Sequence, residues 1–325
     1  MKIIFEKHKS VRKKPVNIVD DDILLFKHEF EKEIKETHLI EMSNALIFND
    51  IIIHSLNFKK YTTYSQVHPI GYKSIFKRLQ TKRFRKTTEG VWIIDNWSSG
   101  YFHWITDALP RLLASNRIND NLPILLPESY SQINFVTESL NLLGKHVFYY
   151  KTCFGLIVKK LLLPSHTANT GNYNHELINE LRHEFIKNIK TKETRKVFIS
   201  RLKASKRKIS NESEVVDYLE SHNWEIHYFE DYSFKEQIEV MSETKYLIGL
   251  HGAGLTNMLF MKEGGKVLEL RNKKDNHNNC YFTLASELNI EYYYQLNEGN
   301  SVDTHSVDIE VDMNILQKNI ELMES

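Results

Sequence analysis

Four short stretches hold side chains whose types and spacing suit chemistry. In GYFHWITDALPRL, His103, Asp107 and Arg111 recur every four residues, so a helix through them carries all three on one face. A histidine and an aspartate so placed are candidates for a general base. The plainer alternative is a surface ladder of charges. In IGLHGAGLTNMLF, His251, Gly252, Ala253 and Gly254 make a turn between an apolar run and a helical pattern. Such a turn offers free N–H groups and lets a ligand approach the backbone, a setting suited to a diphosphate, or it is a tight turn made for packing. In VFISRLKASKRKISNESE, Arg201 ends an apolar strand, and Lys203, Lys206, Arg207 and Lys208 follow before a helix opens at Asn211. Guanidinium groups grip phosphate oxygens in pairs, whereas most charge runs are solvated loops. In KVLELR, Glu269 ends an apolar strand, where an acid can accept from ribose hydroxyls or face solvent.

Strands and helices that alternate along the chain must position these groups. Expected strands include DDILLF, NALIFNDIIIHSL, GVWIIDN, LPILLP, HVFYY, LIVKKLLLP, KVFISR, WEIHYF, YLIGL, KVLEL and EYYYQL. Between them lie helices, one expected to start near Ser98 or Ser99, with Pro110 inside it as a kink. Asn211 with Glu214, and Ser233 with Glu236, have capping-box spacing. The alternation predicts an α/β fold of parallel sheets. At 325 residues, two Rossmann-like domains are expected, with ligands at the carboxyl ends of the strands. The expected division is 1–172, 173–310 and a C-terminal helix, 311–325, packing back on the N-terminal domain.

Composition narrows the function. A net charge of +1 implies no nucleic-acid partner, so an anion site must be local. Two distant cysteines suggest neither a disulfide framework nor a metal knuckle. The opening residues are too short an apolar run for a signal peptide, and a cytoplasmic location is expected. The basic segment Lys73–Lys86 reads as a solvated helix face, or as a peripheral contact with anionic lipid at the inner face of a membrane. GxGxxG with a following acid is absent, which counts against a nicotinamide-dependent oxidoreductase. GxSxG is absent too, which counts against a serine hydrolase.

NWSSGYFHWITDALPRL, VFISRLKASKRKISNESE, IGLHGAGLTNMLFM and KVLELR together resemble glycosyltransferase family 61, over roughly residues 91–296. The resemblance implies a GT-B architecture and an inverting transfer from a nucleotide sugar, UDP-linked, to a glycan or lipid-linked acceptor in surface or capsular polysaccharide synthesis. It implies donor contacts from Arg201, Arg207, Asn211, His251, Gly252, Ala253, Gly254, Asn257 and Glu269, with the two arginines on the diphosphate and Glu269 on the ribose. Asp107 is the first candidate for the base and His103 the second. No cofactor or metal is called for, and the acid triplet in VDDDI lies too early in the chain to serve a nucleotide-binding half. A non-catalytic scaffold of the same fold is the alternative.

Overall fold

Apolar strands alternating with amphipathic helices build two separate sheets in this computed structural model, which describes residues 1–48, 51–54, 83–275, 278–301 and 306–325. The chain divides into two compact units. One is Met1–His8 with Ile34–Thr170, and the other is Lys9–Glu33 with Gly171–Ser325. Residues 9–33 therefore cluster with the C-terminal part of the chain, not with the residues around them. The chain passes between units through a two-stranded ribbon, β2 (His8–Val11) with β3 (Glu31–Ile34). DDILLF, expected as a strand, supplies the short helix Ile23–Phe26, and Phe26 is buried against Phe282 and Tyr292.

The first unit's sheet has the order β1 (Lys2–Phe5), β4 (Thr37–Phe48), β9 (Phe154–Pro164), β6 (Arg83–Val91), β7 (Ile124–Pro127), β8 (Val147–Tyr150), with β5 (Ile51–His54) also on β4. Strands β9, β6, β7 and β8 run parallel, and β4 is antiparallel to β9, β1 and β5. From β6 the chain winds to β7 and β8 on one side, and β9 returns on the other. The gap between the ends of β6 and β9 is thus a topological switch point, where open α/β sheets bind ligands.

The second unit's sheet has the order β11 (Glu225–His227), β10 (Arg195–Ile199), β12 (Thr244–Leu250), β13 (Lys266–Asn272), β14 (Glu291–Gly299), β15 (Ile309–Glu310). The first five are parallel and only the edge pair β14–β15 is antiparallel. Its switch point lies between the ends of β10 and β12. Helix Phe234–Ser242 carries the expected capping box from Ser233 and Glu236. At Asn211 the expected box does not form, because its side chain bonds the backbone of Val311 in both directions instead. The C-terminal helix Met313–Glu324 buries Leu316, Ile320 and Met323 with Phe198, Val215 and Ile248. It therefore packs on the second unit's core.

Lys73–Lys82 lie outside the described residues, and Arg83, Arg85 and Lys86 sit in strand β6, not on a helix. No helix among the described residues is long and apolar enough to cross a membrane.

Candidate functional site

The first unit's switch point is built from two His–Asp pairs. The residues after Gly100 run as one helical segment in three pieces, Tyr101–His103, a π-helical Trp104–Ala108 and Leu109–Asn116. Pro110 lacks the N–H that would bond back into the preceding turn, and the widened π segment lies just before it. Gly100 is the N-cap; the expected cap Ser98 donates instead to Asp95 Oδ1 at 2.9 Å. His103 Nδ1 lies 2.8 Å from Asp107 Oδ2, so the i, i+4 spacing does bring them together. The Asp107 carboxylate is buried and also accepts from Thr170 Oγ1 at 3.3 Å, while the His103 ring is partly exposed. Arg111 shares their spacing but not their role. It is wholly buried and donates to the carbonyls of Ile93 at 2.7 Å and Pro164 at 3.0 Å, joining the chain at the ends of β6 and β9 across the switch point.

Asp95 and His166 form the second pair, with His166 Nε2 at 2.9 Å from Asp95 Oδ2. Asp95 Oδ1 accepts the Trp97 N–H at 2.9 Å. Burial raises the Asp95 carboxyl, but the bonds from His166 and the Trp97 amide, with the Arg111 charge, outweigh it and bring its pKa down to about 2. Neither Asp95 nor His166 was singled out from sequence. The signal was available, because each follows an apolar strand, the same logic that picked out Glu269.

In the second unit, Arg201 and Arg207 come together with Gly252. Arg201 Nε and Nη2 donate to the carbonyls of Arg207 and Lys206, both at 2.9 Å. Arg207 makes this possible by adopting φ 57°, a left-handed conformation costing on the order of 1 kcal/mol in a non-glycine residue. Gly252 lets Arg201 approach closely, since a Cβ there would stand 2.6 Å from Arg201 Nη1. Burial and then the Arg207 charge push the Arg201 pKa down. Among the described residues neither arginine has a carboxylate partner within ion-pair distance, and the buried Arg207 Nε has no hydrogen-bond partner. Arg201, partly desolvated and under the influence of the Arg207 charge, and Arg207 with an unpartnered buried Nε are therefore the candidates here for holding an anion. Lys203 is not part of it, as it pairs with Asp231 at the surface.

The remaining expected donor residues divide. Ala253 and Gly254 open the 3-10 run Ala253–Phe260, with Gly252 at its N-cap. Asn257 is buried and donates to Gln237 Oε1 at 3.1 Å, and Asn211 is tied to Val311, so both side chains are engaged in holding loops. Glu269 is 0% exposed, one oxygen bonded to His251 Nδ1 and the other to the Tyr292 hydroxyl. It therefore faces His251 and offers no oxygen to a ribose. Burial raises the Glu269 carboxyl, but the charges of His251 and Arg271 and its two bonds outweigh this and hold it below the usual range. Burial, with the Glu269 charge beside it, pushes the Tyr292 phenol well up. His251 Nε2 lies 3.0 Å from the Asn278 amide nitrogen. Among the described residues no group of three or more His, Cys, Asp and Glu side chains is placed to hold a metal ion.

Comparison with known proteins adds the chemistry of relatives. The family model described as glycosyltransferase 61 matches residues 101–268, just over half of the chain. The EGF domain-specific O-linked N-acetylglucosamine transferases of Canis lupus familiaris and Bos taurus are each 36% identical over 91 residues, covering 26% of this chain and 17% of those proteins. That of Drosophila melanogaster is 35% identical over 89 residues, with the same shares. The matched stretch thus spans well under a quarter of these relatives' length.

Proposed function

For this chain, which belongs to glycosyltransferase family 61, we propose transfer of a sugar from a UDP-linked donor to a hydroxyl of a glycan or lipid-linked acceptor, in the making of a surface or capsular polysaccharide. The reading makes the two α/β units the halves of a GT-B enzyme, the first serving the acceptor and the second the donor. It places the reaction in the cytoplasm, at or near the inner face of the membrane. The observation that carries it is the Arg201–Arg207 pair at the second unit's switch point, close to a glycine whose missing Cβ makes room for the guanidinium. The names of the relatives make UDP-N-acetylglucosamine the first donor to test.

In this reading the acceptor oxygen attacks the anomeric carbon in line as the bond from that carbon to the diphosphate breaks, inverting the centre. The two guanidinium groups balance the charge that develops on the departing diphosphate, and preorganised charge of this kind is usually the largest catalytic contribution. They supply positive charge where a metal ion would otherwise be needed. The geometry favours His103 over Asp107 as the base. Asp107 is buried and already accepts from His103, Thr170 and Thr106, whereas His103 Nδ1 is turned to that carboxylate, leaving Nε2 to take the acceptor proton. Glu269 then acts by fixing His251 beside the Gly252 turn.

Titrating UDP into the protein by calorimetry, with EDTA present, tests the reading. Binding that persists in EDTA and is lost in Arg201→Ala supports it. Absence of UDP binding in the intact chain overturns it, as does UDP binding that needs a divalent ion.

A further inference from the structure

One exposed aromatic in the first unit has no part in the chemistry above. Of the four tryptophans, Trp92, Trp104 and Trp224 are buried, and Trp97 is 47% exposed. Its ring lies 5.3 Å from that of His103, centroid to centroid, and its backbone N–H is held by Asp95 Oδ1. The other oxygen of that carboxylate holds His166 Nε2. One buried anion therefore anchors the backbone of the residue that carries an exposed indole and, through its other oxygen, a partly exposed imidazole. His166 lines a cavity of about 220 Å³ together with Lys35, Glu36, Ser165 and Asn169. With Nε2 committed to Asp95, Nδ1 makes no bond among the described residues.

We propose that Trp97, its backbone N–H held by one oxygen of Asp95, and His166, its ring held by the other, form a subsite for a pyranose ring of the acceptor beside His103. A pyranose has an apolar face of C–H groups and a rim of hydroxyls. The indole face takes the first, by contact of apolar surface with a rigid ring. His166 Nδ1 and the polar groups of the cavity take the hydroxyls, a pairing of one flat apolar wall with a few placed polar groups. The inference rests on the reading of His103 as the base only in naming the ring as the acceptor's. The contact itself does not depend on it.

Trp97 also supplies the assay, since acrylamide reaches it before the three buried tryptophans. The intact protein is titrated with the methyl glycosides of glucose, galactose, N-acetylglucosamine and glucuronic acid, and quenching of its emission is followed. The expected result is saturable protection by at least one glycoside, with affinity about tenfold weaker in His166→Ala, the loss of one hydrogen bond. If that variant does not melt cooperatively, His166→Gln replaces it. No protection by any of the four glycosides at any soluble concentration overturns the subsite, and so does protection of equal affinity in the His166 variant. Failure of UDP to bind the protein would refute the donor reading and leave this result standing.

Discussion

Adding one methyl group at Gly252 separates an anion site from a packing turn. A Cβ there meets Arg201 Nη1 at 2.6 Å, Cζ at 3.2 Å and Nε at 3.6 Å. Ordinary contact begins near 3.4 Å, so the guanidinium must retreat by about 0.8 Å. It is the far end of a flexible side chain, so Gly252→Ala should cost less than about 1 kcal/mol of stability. The same retreat lengthens a 2.8 Å contact to a phosphate oxygen to about 3.6 Å, which is no longer a hydrogen bond. Losing one hydrogen bond to a charged group costs about 1.5–3 kcal/mol, or a UDP affinity roughly 10- to 150-fold weaker. Calorimetry on a double-mutant cycle measures it. In an Arg201→Ala background the methyl has nothing to displace, and its additional cost should be under about 0.5 kcal/mol. Equal losses in both backgrounds would refute the claim that the glycine serves Arg201, and unchanged UDP affinity in Gly252→Ala would refute the site.

Asp107→Asn should lower transfer about 10²- to 10⁴-fold through loss of the group that orients His103, with UDP affinity within about twofold of wild type; equal loss of both would point to misfolding. Arg111→Ala leaves the Ile93 and Pro164 carbonyls without their donor and should cost about 2–5 kcal/mol in urea unfolding. A loss below about 0.5 kcal/mol would show that the chain at the ends of β6 and β9 does not depend on it. Asp95 has its pKa depressed from 3.8 to about 2, so it contributes on the order of 2 kcal/mol that is fully present above about pH 4 and lost as the pH falls through about 2. Acid unfolding of wild type and Asp95→Asn should therefore converge near the low end of that window, and a stability difference independent of pH would refute the assignment.

The alternation of strands and helices was legible in the second unit, where the parallel strands β10, β12 and β13 are rich in apolar residues and each is followed by a helical segment, whereas β6 of the first unit, RFRKTTEGV, carries no such run. Residue spacing also brought His103 to Asp107, since both lie on one helical segment. Spacing could not tell that Arg111 turns inward, because that depends on two carbonyls, at Ile93 and Pro164, placed by the fold. The strand-end rule picked out Glu269, which lies in the middle of β13, Lys266–Asn272, and is wholly buried. Tyr292, on the neighbouring strand, and His251 occupy both its oxygens, and these partners are 23 and 18 residues away. Residues 9–33 carry no periodic signal that assigns them to the second unit. What assigns them is a set of single contacts, such as Arg12 with Asn172 and Phe26 with Phe282.

His103, His166 and His251 share one arrangement. Each has a buried carboxylate behind it, Asp107, Asp95 and Glu269 respectively. Burying a carboxylate is unfavourable, and in each case it is offset by the histidine and a second donor: Thr170 at Asp107, the Trp97 amide at Asp95, Tyr292 at Glu269. An imidazole facing an ionised acceptor carries its proton on the facing nitrogen, so the carboxylate selects the tautomer. For His103 and His251 the facing atom is Nδ1; Nε2 of His103 is left over, whereas Nε2 of His251 lies 3.0 Å from the Asn278 amide nitrogen. For His166 it is Nε2, and Nδ1 is presented instead. Replacing any of the three acids by its amide would leave shape and packing nearly intact while removing that selection. The separate losses would then tell which imidazole takes a proton during transfer, because only the loss of its carboxylate should alter the pH dependence of the rate.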